Sequence, residues 1–161
     1  MRFDRKKLER YRELLQTTDI QAGYQEFLRL FRFLRLGLEK QLPDCRAQAR
    51  IEENAMEYCY FQLTNSSMHS KGLKIAVAFV HGRFSLEVWL CGVNRAAQRK
   101  AYAQLQQAGC PFRLAEGPAG EDYILRVPVE NAVDISDADI WLRELMKCVR
   151  SVMQYADGLP D

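Results

Sequence analysis

Residues 73–102 read LKIAVAFVHGRFSLEVWLCGVNRAAQRKAY. The first eight are apolar except for one charge, Lys74. His81-Gly82-Arg83 makes a tight turn, and the chain returns as FSLEVWLC, residues 84–91. Two β-rich runs joined in this way predict an antiparallel hairpin. With Gly82-Arg83 as a two-residue turn, Phe79 pairs with Leu86, Val77 with Val88 and Ile75 with Leu90. That face is wholly apolar and belongs to a core. The opposite face sets Ala78 against Glu87, Ala76 against Trp89 and Lys74 against Cys91. Two alanines beside a glutamate and a tryptophan leave room above the sheet. Either a helix fills that room closely, or a pocket opens there.

The chain after Gly92 changes period. Asn94 is a good N-cap for a helix that runs to Ala108 and is closed by Gly109. Asn94, Gln98 and Tyr102 fall on one line of it, with Arg95 near its start, and Ala97, Ala101 and Ala108 permit close approach to a sheet. Before the hairpin, EYCYFQLT (57–64) reads as a strand and NSSMHSKG (65–72) as a loop. Residues 44–56 fit either a short helix or an irregular lead-in. Two helices precede them. The first covers 4–17, with Leu8, Tyr11 and Leu15 on one side, and Asp19 can cap the second. The second runs from Ile20 to about Leu42, before Pro43, with an apolar stripe of Ile20, Tyr24, Phe27, Leu28, Phe31, Leu34 and Leu38. Phe33 and Leu36 project from its far side. Beyond Gly109, short strands near 112–116 and 122–129 flank the loop GPAGED. A capping box at Ser136-Asp137-Ala138-Asp139 then opens a last helix. Its stripe is Ala138, Trp141, Leu142, Leu145, Val149, Val152 and Met153.

These elements predict a single α+β domain over residues 1–161. It has two N-terminal helices, a mostly antiparallel sheet of about five strands, a helix after strand three and a C-terminal helix packed on the sheet. An apolar fraction of 48% and 27% charged residues fit one globular core. The net charge of +2 does not point to nucleic acid, although residues 1–50 carry a balance of +5 and the remainder −3. No 18-residue apolar run offers a membrane span. The N-terminus MRFDRKKLERY lacks an apolar run of the secretory kind. Cys45, Cys59, Cys91, Cys110 and Cys148 are odd in number and widely spaced, with no C-x-x-C, so reduced thiols in a cytoplasmic protein are expected.

No phosphate-binding loop, dinucleotide fingerprint, nucleophile elbow or zinc-protease motif occurs. A mid-strand acid after three strands suggests a metal-dependent nuclease, but Glu87 is followed by Val88-Trp89, without the lysine two positions on. No second carboxylate lies in the preceding strand. One carboxylate is a poor Mg²⁺ site, and neither a metal nor a cofactor is expected. Whether any reaction is catalysed stays open. Glu87 has two readings. It is one half of a buried ion pair with Arg95, while Asn94 and Gln98 satisfy loop backbone groups. Alternatively Glu87, Trp89, Asn94, Arg95, Gln98 and Tyr102 line a polar, aromatic-walled pocket for a small-molecule ligand.

The stretch 73–102, with DIQAGYQEFLRLFRFLR and YCYF earlier, resembles a family of short bacterial and archaeal proteins known only as a domain of unknown function. Its E-V-W-L-x-G-x-N-R-x-x-Q core is matched by Glu87, Val88, Trp89, Leu90, Gly92, Asn94, Arg95 and Gln98. The resemblance covers most of residues 10–105 and departs at Asn54 and Glu57, where members often carry glycine and aspartate. It implies no activity, cofactor or partner. A non-catalytic binding or interaction protein is therefore the expected function, with two alternatives. One is an enzyme acting on a small molecule or nucleic acid through that face. The other is a homodimer, or another protein complex, through Phe33 and Leu36 on the second helix.

Overall fold

The computed structural model describes residues 2–117, 120–130 and 137–160, and the chain divides into two compact units, Met1–Phe33 and Leu34–Asp161. In the first, helix α1 (Arg5–Thr17) is opened by Asp4, whose carboxylate accepts from Lys7 N–H, and no residue of it is buried. Helix α2 (Ile20–Gln41) starts in this unit, with the Asp19 carbonyl accepting from Gly23 N–H and Phe27 stacked on Phe31 at 5.6 Å.

The second unit begins within α2, where Leu34 and Leu38 are buried as the helical spacing requires. Phe33 and Leu36 are 39% and 54% exposed. Strands β1 (Arg46–Ala47), β2 (Glu52–Asn54), β3 (Tyr58–Thr64), β4 (Leu73–Val80), β5 (Ser85–Gly92), β6 (Arg113–Leu114) and β7 (Leu125–Pro128) form one sheet. Its order is β1-β3-β4-β5-β7-β6, with β2 also on β3, and every pairing is antiparallel. Helix α3 (Ser66–Ser70) lies between β3 and β4, α4 (Arg95–Ala108) follows β5, and α5 (Ala138–Asp157) comes last. The fold class is α+β with a mostly antiparallel sheet, as the sequence patterns imply.

The β4–β5 register is the expected one, with Phe79 opposite Leu86, Val77 opposite Val88 and Ile75 opposite Leu90. Those side chains are all buried, and Trp141 of α5 stacks on Phe79 at 6.3 Å. The turn between them is a single 3₁₀ turn at His81–Arg83, closed by Phe84 N–H on the His81 carbonyl, and Phe84 takes φ 49°. Cys59, Phe61 and Leu63 of β3 extend this apolar face, as do Val127 and Leu125 of β7. Trp141, Leu145, Val149 and Val152 of α5 are buried as expected, joined by Met146 and Ala156.

Several local readings are corrected. Residues 44–56 are neither helix nor irregular lead-in, because both short strands there pair with β3. Runs of two and three residues carry too little alternation to show in sequence. The loop at 65–72 contains α3, started by the Asn65 side chain accepting from Met68 N–H. The last helix is capped by Asp137, whose carboxylate accepts from Asp139 and Ile140 N–H, while Ser136 of the expected capping box lies outside the described residues. Its other end is clamped by Lys71, whose ammonium donates to the carbonyls of Asp157 at 2.5 Å and Leu159 at 2.6 Å. No helix of the described residues is long and apolar enough to cross a membrane.

The β2–β3 turn holds Ala55 at φ 46° and Met56 at φ 60°, with Glu57 N–H donating to the Asn54 carbonyl. Two adjacent residues at positive φ suit asparagine and glycine, and side chains with a Cβ are strained there. Met56→Gly, at an exposed site, is expected to raise unfolding free energy by about 0.5–1 kcal/mol despite the gain in unfolded-chain freedom. Urea denaturation checks it. A loss of stability would mean that Met56 does not hold this backbone.

Candidate functional site

Paired strands send paired residues to the same face, so the side of the sheet opposite the core can be read in rows. One row is Tyr60, Ala78, Glu87 and Pro128, and the next is Gln62, Ala76, Trp89, Arg126 and Arg113. Lys74 and Cys91 make a third. The row centres are small because Ala76 and Ala78 occupy β4. Larger side chains therefore stand around a hollow, and a cleft of about 310 Å³ opens there. Tyr58, Tyr60, Gln62, Lys74, Ala76 and Trp89 line it on the strand side. Asn94, Arg95 and Gln98 enter from α4, and Asp122 from the segment before β7.

Helix α4 reaches this cleft because of Gly92. A Cβ at that position would meet the backbone of Gln98, so any side chain would push the start of the helix off the strand end. Asn94 caps the helix as expected, its side-chain oxygen accepting from Ala97 N–H at 2.9 Å. Arg95 donates to the Glu121 carbonyl at 2.7 Å and pairs with Asp122 at 3.3 Å. Gln98, only 4% exposed, donates to the same Glu121 carbonyl at 2.8 Å. The Tyr58 hydroxyl donates to the other Asp122 oxygen at 2.8 Å. Two side chains of α4 and one of β3 thus pin residues 121–122 as one wall. Burial and the Asp122 carboxylate push the Tyr58 phenol up to about 12, and burial pushes the Cys91 thiol up to about 12.

Glu87 is buried, but its partner is not Arg95. One oxygen accepts from the Trp89 indole N–H at 2.7 Å. The other accepts from Arg83 at 2.7 Å and from Ser85 at 3.3 Å, with Arg126 at 3.7 Å. Ser85 and Trp89 lie two residues either side of Glu87 and therefore share its face. Arg83 comes from the hairpin turn, and Arg126 sits opposite Trp89 on β7. The buried-pair reading was right about the kind of environment and wrong about the cation. Arg95 stands on the helix and is held at Asp122 instead. The carboxylate fixes the indole, which is only 6% exposed and flanked by Tyr58 at 5.3 Å and Tyr123 at 5.1 Å. Trp89 therefore backs the tyrosines more than it offers a ring face of its own.

Of the six expected site residues, Trp89, Asn94, Arg95 and Gln98 come together at the cleft, while Glu87 lies outside its lining, beside Trp89. Tyr102 does not join them, because its hydroxyl donates to the Ala115 carbonyl two turns further along α4. Sequence reasoning missed Tyr58, Tyr60, Gln62 and Asp122. The alternation of YCYFQLT would have placed the first three on one face, had its register against β4 been assigned. The hairpin pairing puts Lys74 on this face, opposite Cys91, but does not mark it as a site residue.

With the geometry in view, residues 4–157 match the family described as a domain of unknown function, DUF7000. The chain belongs to the DUF7000 family. The match extends past the region where the sequence resemblance was read, to include α5. No curated protein and no solved structure matches the chain.

The buried carboxylate network is tested by two single neutralisations. Glu87→Gln keeps an acceptor for Trp89 but leaves Arg126 without its charge partner, and should cost about 2–3 kcal/mol. Arg95→Met, at an exposed pair, should cost less than about 1 kcal/mol. Denaturant titration of the two and of the double variant should give additive losses. Strong coupling between them would restore the Glu87–Arg95 pair.

Proposed function

We propose that this DUF7000 domain is a non-catalytic binding module whose cleft over Ala76 takes a small molecule. The carrying observation is the pair of alanines on the central strand, ringed by Tyr58, Tyr60 and Trp89 on one side and by Asn94, Arg95 and Gln98 on the other. Its volume is at the small end of ligand pockets. Both Glu87 oxygens are already engaged by Trp89, Arg83 and Ser85, which favours a supporting role for this carboxylate over acid–base catalysis. All five cysteines are free thiols, in keeping with a reducing, cytoplasmic setting.

The test is thermal melting of wild type and of Ala76→Leu against nucleotides, amino acids, sugars and metal ions. Leucine at 76 fills the hollow, at a cost of about 1–3 kcal/mol. A ligand at 100 times its dissociation constant adds about 2.7 kcal/mol to the wild type and should add nothing to the filled variant. Equal shifts in both would place binding elsewhere. No shift with any compound would count against the reading.

The exposed Phe33 and Leu36 on α2 support a second, separate reading, a homodimer through that helix. Light scattering of wild type and of Phe33→Glu decides it. A dimer that becomes a monomer is the expected pair, and a monomer in both rejects the interface.

A further inference from the structure

We infer that the ligand of the cleft is a compact aromatic acid, with Lys74 as the residue that receives its carboxylate or phosphate. The inference rests on the cleft reading above and adds the chemistry of what enters. It comes from dividing the polar lining into groups that the protein already uses and groups that it leaves open. Asn94 is spent on capping α4, Arg95 and Gln98 on the Glu121 carbonyl, and Asp122 on Tyr58 and Arg95. Among the described residues, the Lys74 ammonium has no carboxylate within ion-pair distance. Among those residues the Gln62 amide and the Tyr60 hydroxyl likewise make no side-chain hydrogen bond. These three surround Ala76 from two adjacent strands, since Gln62 is the cross-strand partner of Ala76 and Lys74 is two residues away on the same face.

Lys74 is also out of place by ordinary strand chemistry. It is the only charged residue of β4, a strand with neighbours on both sides, and its side chain is half-buried over Cys91. A partly desolvated cation costs free energy until a counter-charge reaches it. Arg95 already has Asp122, so of the two cations in this cleft Lys74 is the one without a counter-charge among the described residues. The wall beside it is aromatic. Tyr58 and Tyr60 stand with ring centroids 6.0 Å apart, both half-buried, and Tyr58 rests against Trp89 at 5.3 Å. A flat ring set against them, an acid group at Lys74 and a polar substituent within reach of Gln62 would engage the aromatic wall, the cation and the amide together. A sugar would leave the cation unmatched, and an inorganic anion would leave the tyrosines unused.

The experiment compares charged and neutral forms of the same ring. Indoleacetate with indoleacetamide, and adenosine monophosphate with adenosine, are titrated into the full chain at low salt, with inorganic phosphate alone as a further arm. Binding is read by tryptophan fluorescence and by melting temperature. At least one acid should bind about tenfold or more tighter than its neutral partner, and its affinity should fall as salt rises. Which acid binds distinguishes carboxylate from phosphate. Lys74→Met, which keeps the stem and drops the charge, should abolish that preference and leave the neutral partner's affinity unchanged, while Lys74→Arg should keep part of it.

Equal binding of acid and neutral forms, or an acid preference that survives Lys74→Met, overturns the inference. If the compounds still compete for a site closed by Ala76→Leu, the cleft itself stands. Should Ala76→Leu unfold, Tyr60→Leu at the half-exposed rim serves in its place. Binding untouched by either variant overturns the cleft reading and this inference together. Phosphate binding as tightly as adenosine monophosphate, or no binding by any probe at millimolar concentration, overturns the aromatic-acid assignment.

Discussion

Val80 stands opposite Ser85, and from that contact outward the β4–β5 hairpin assigns each of its residues to one face of the sheet or the other. A slip of one residue would turn Ile75, Val77 and Phe79 to the cleft and drive Lys74 into the core. The loss would include the burial of three large side chains and the desolvation of an ammonium, so the register is strongly held. Both neighbouring strands inherit it. Strand β3 takes its pairing from β4 and β7 takes its pairing from β5. Core and cleft are therefore two consequences of the same alternation.

The hairpin was legible because two eight-residue β-rich runs meet at a turn that carries a glycine. Helix α4 was legible because Asn94 and Gly109 bracket it, and α2 because its stripe is long. What escaped depends on contacts distant in sequence. Glu87 could be recognised as a buried carboxylate from its neighbours, but Arg126 reaches it from a strand whose register the local sequence does not disclose. Arg83 was near enough to find, four residues before Glu87, had the turn been read as a source of side chains as well as a reversal. Tyr102 was misplaced for a different reason. Helical spacing aligned it with Asn94 and Gln98, yet two turns carry it about 12 Å along the axis, past the end of the cleft.

The cleft combines two kinds of polar group that sequence alone does not separate. Arg95, Gln98 and Asn94 are the residues that the sequence reading picks out, and each is occupied in holding the helix start or the segment at 121–122. They set the shape of the site. Lys74, Gln62 and Tyr60 sit in plain strand patterns and, among the described residues, are left without a polar side-chain partner. The most recognisable residues of this site are thus its frame, and the inconspicuous ones face the space within.

Helix α5 lays Trp141 over Phe79, and Lys71, from just before β4, holds the carbonyls at its far end. This cover is synthesised after every described strand of the sheet. Until then Phe79 and its neighbours lack their lid, and a nascent or truncated chain ending before Ala138 would present that surface to chaperones and to other copies of itself. In a cell, then, the cleft face can be complete while the opposite face is still sticky, and the yield of the protein will depend on how quickly the twenty-residue helix α5 is delivered.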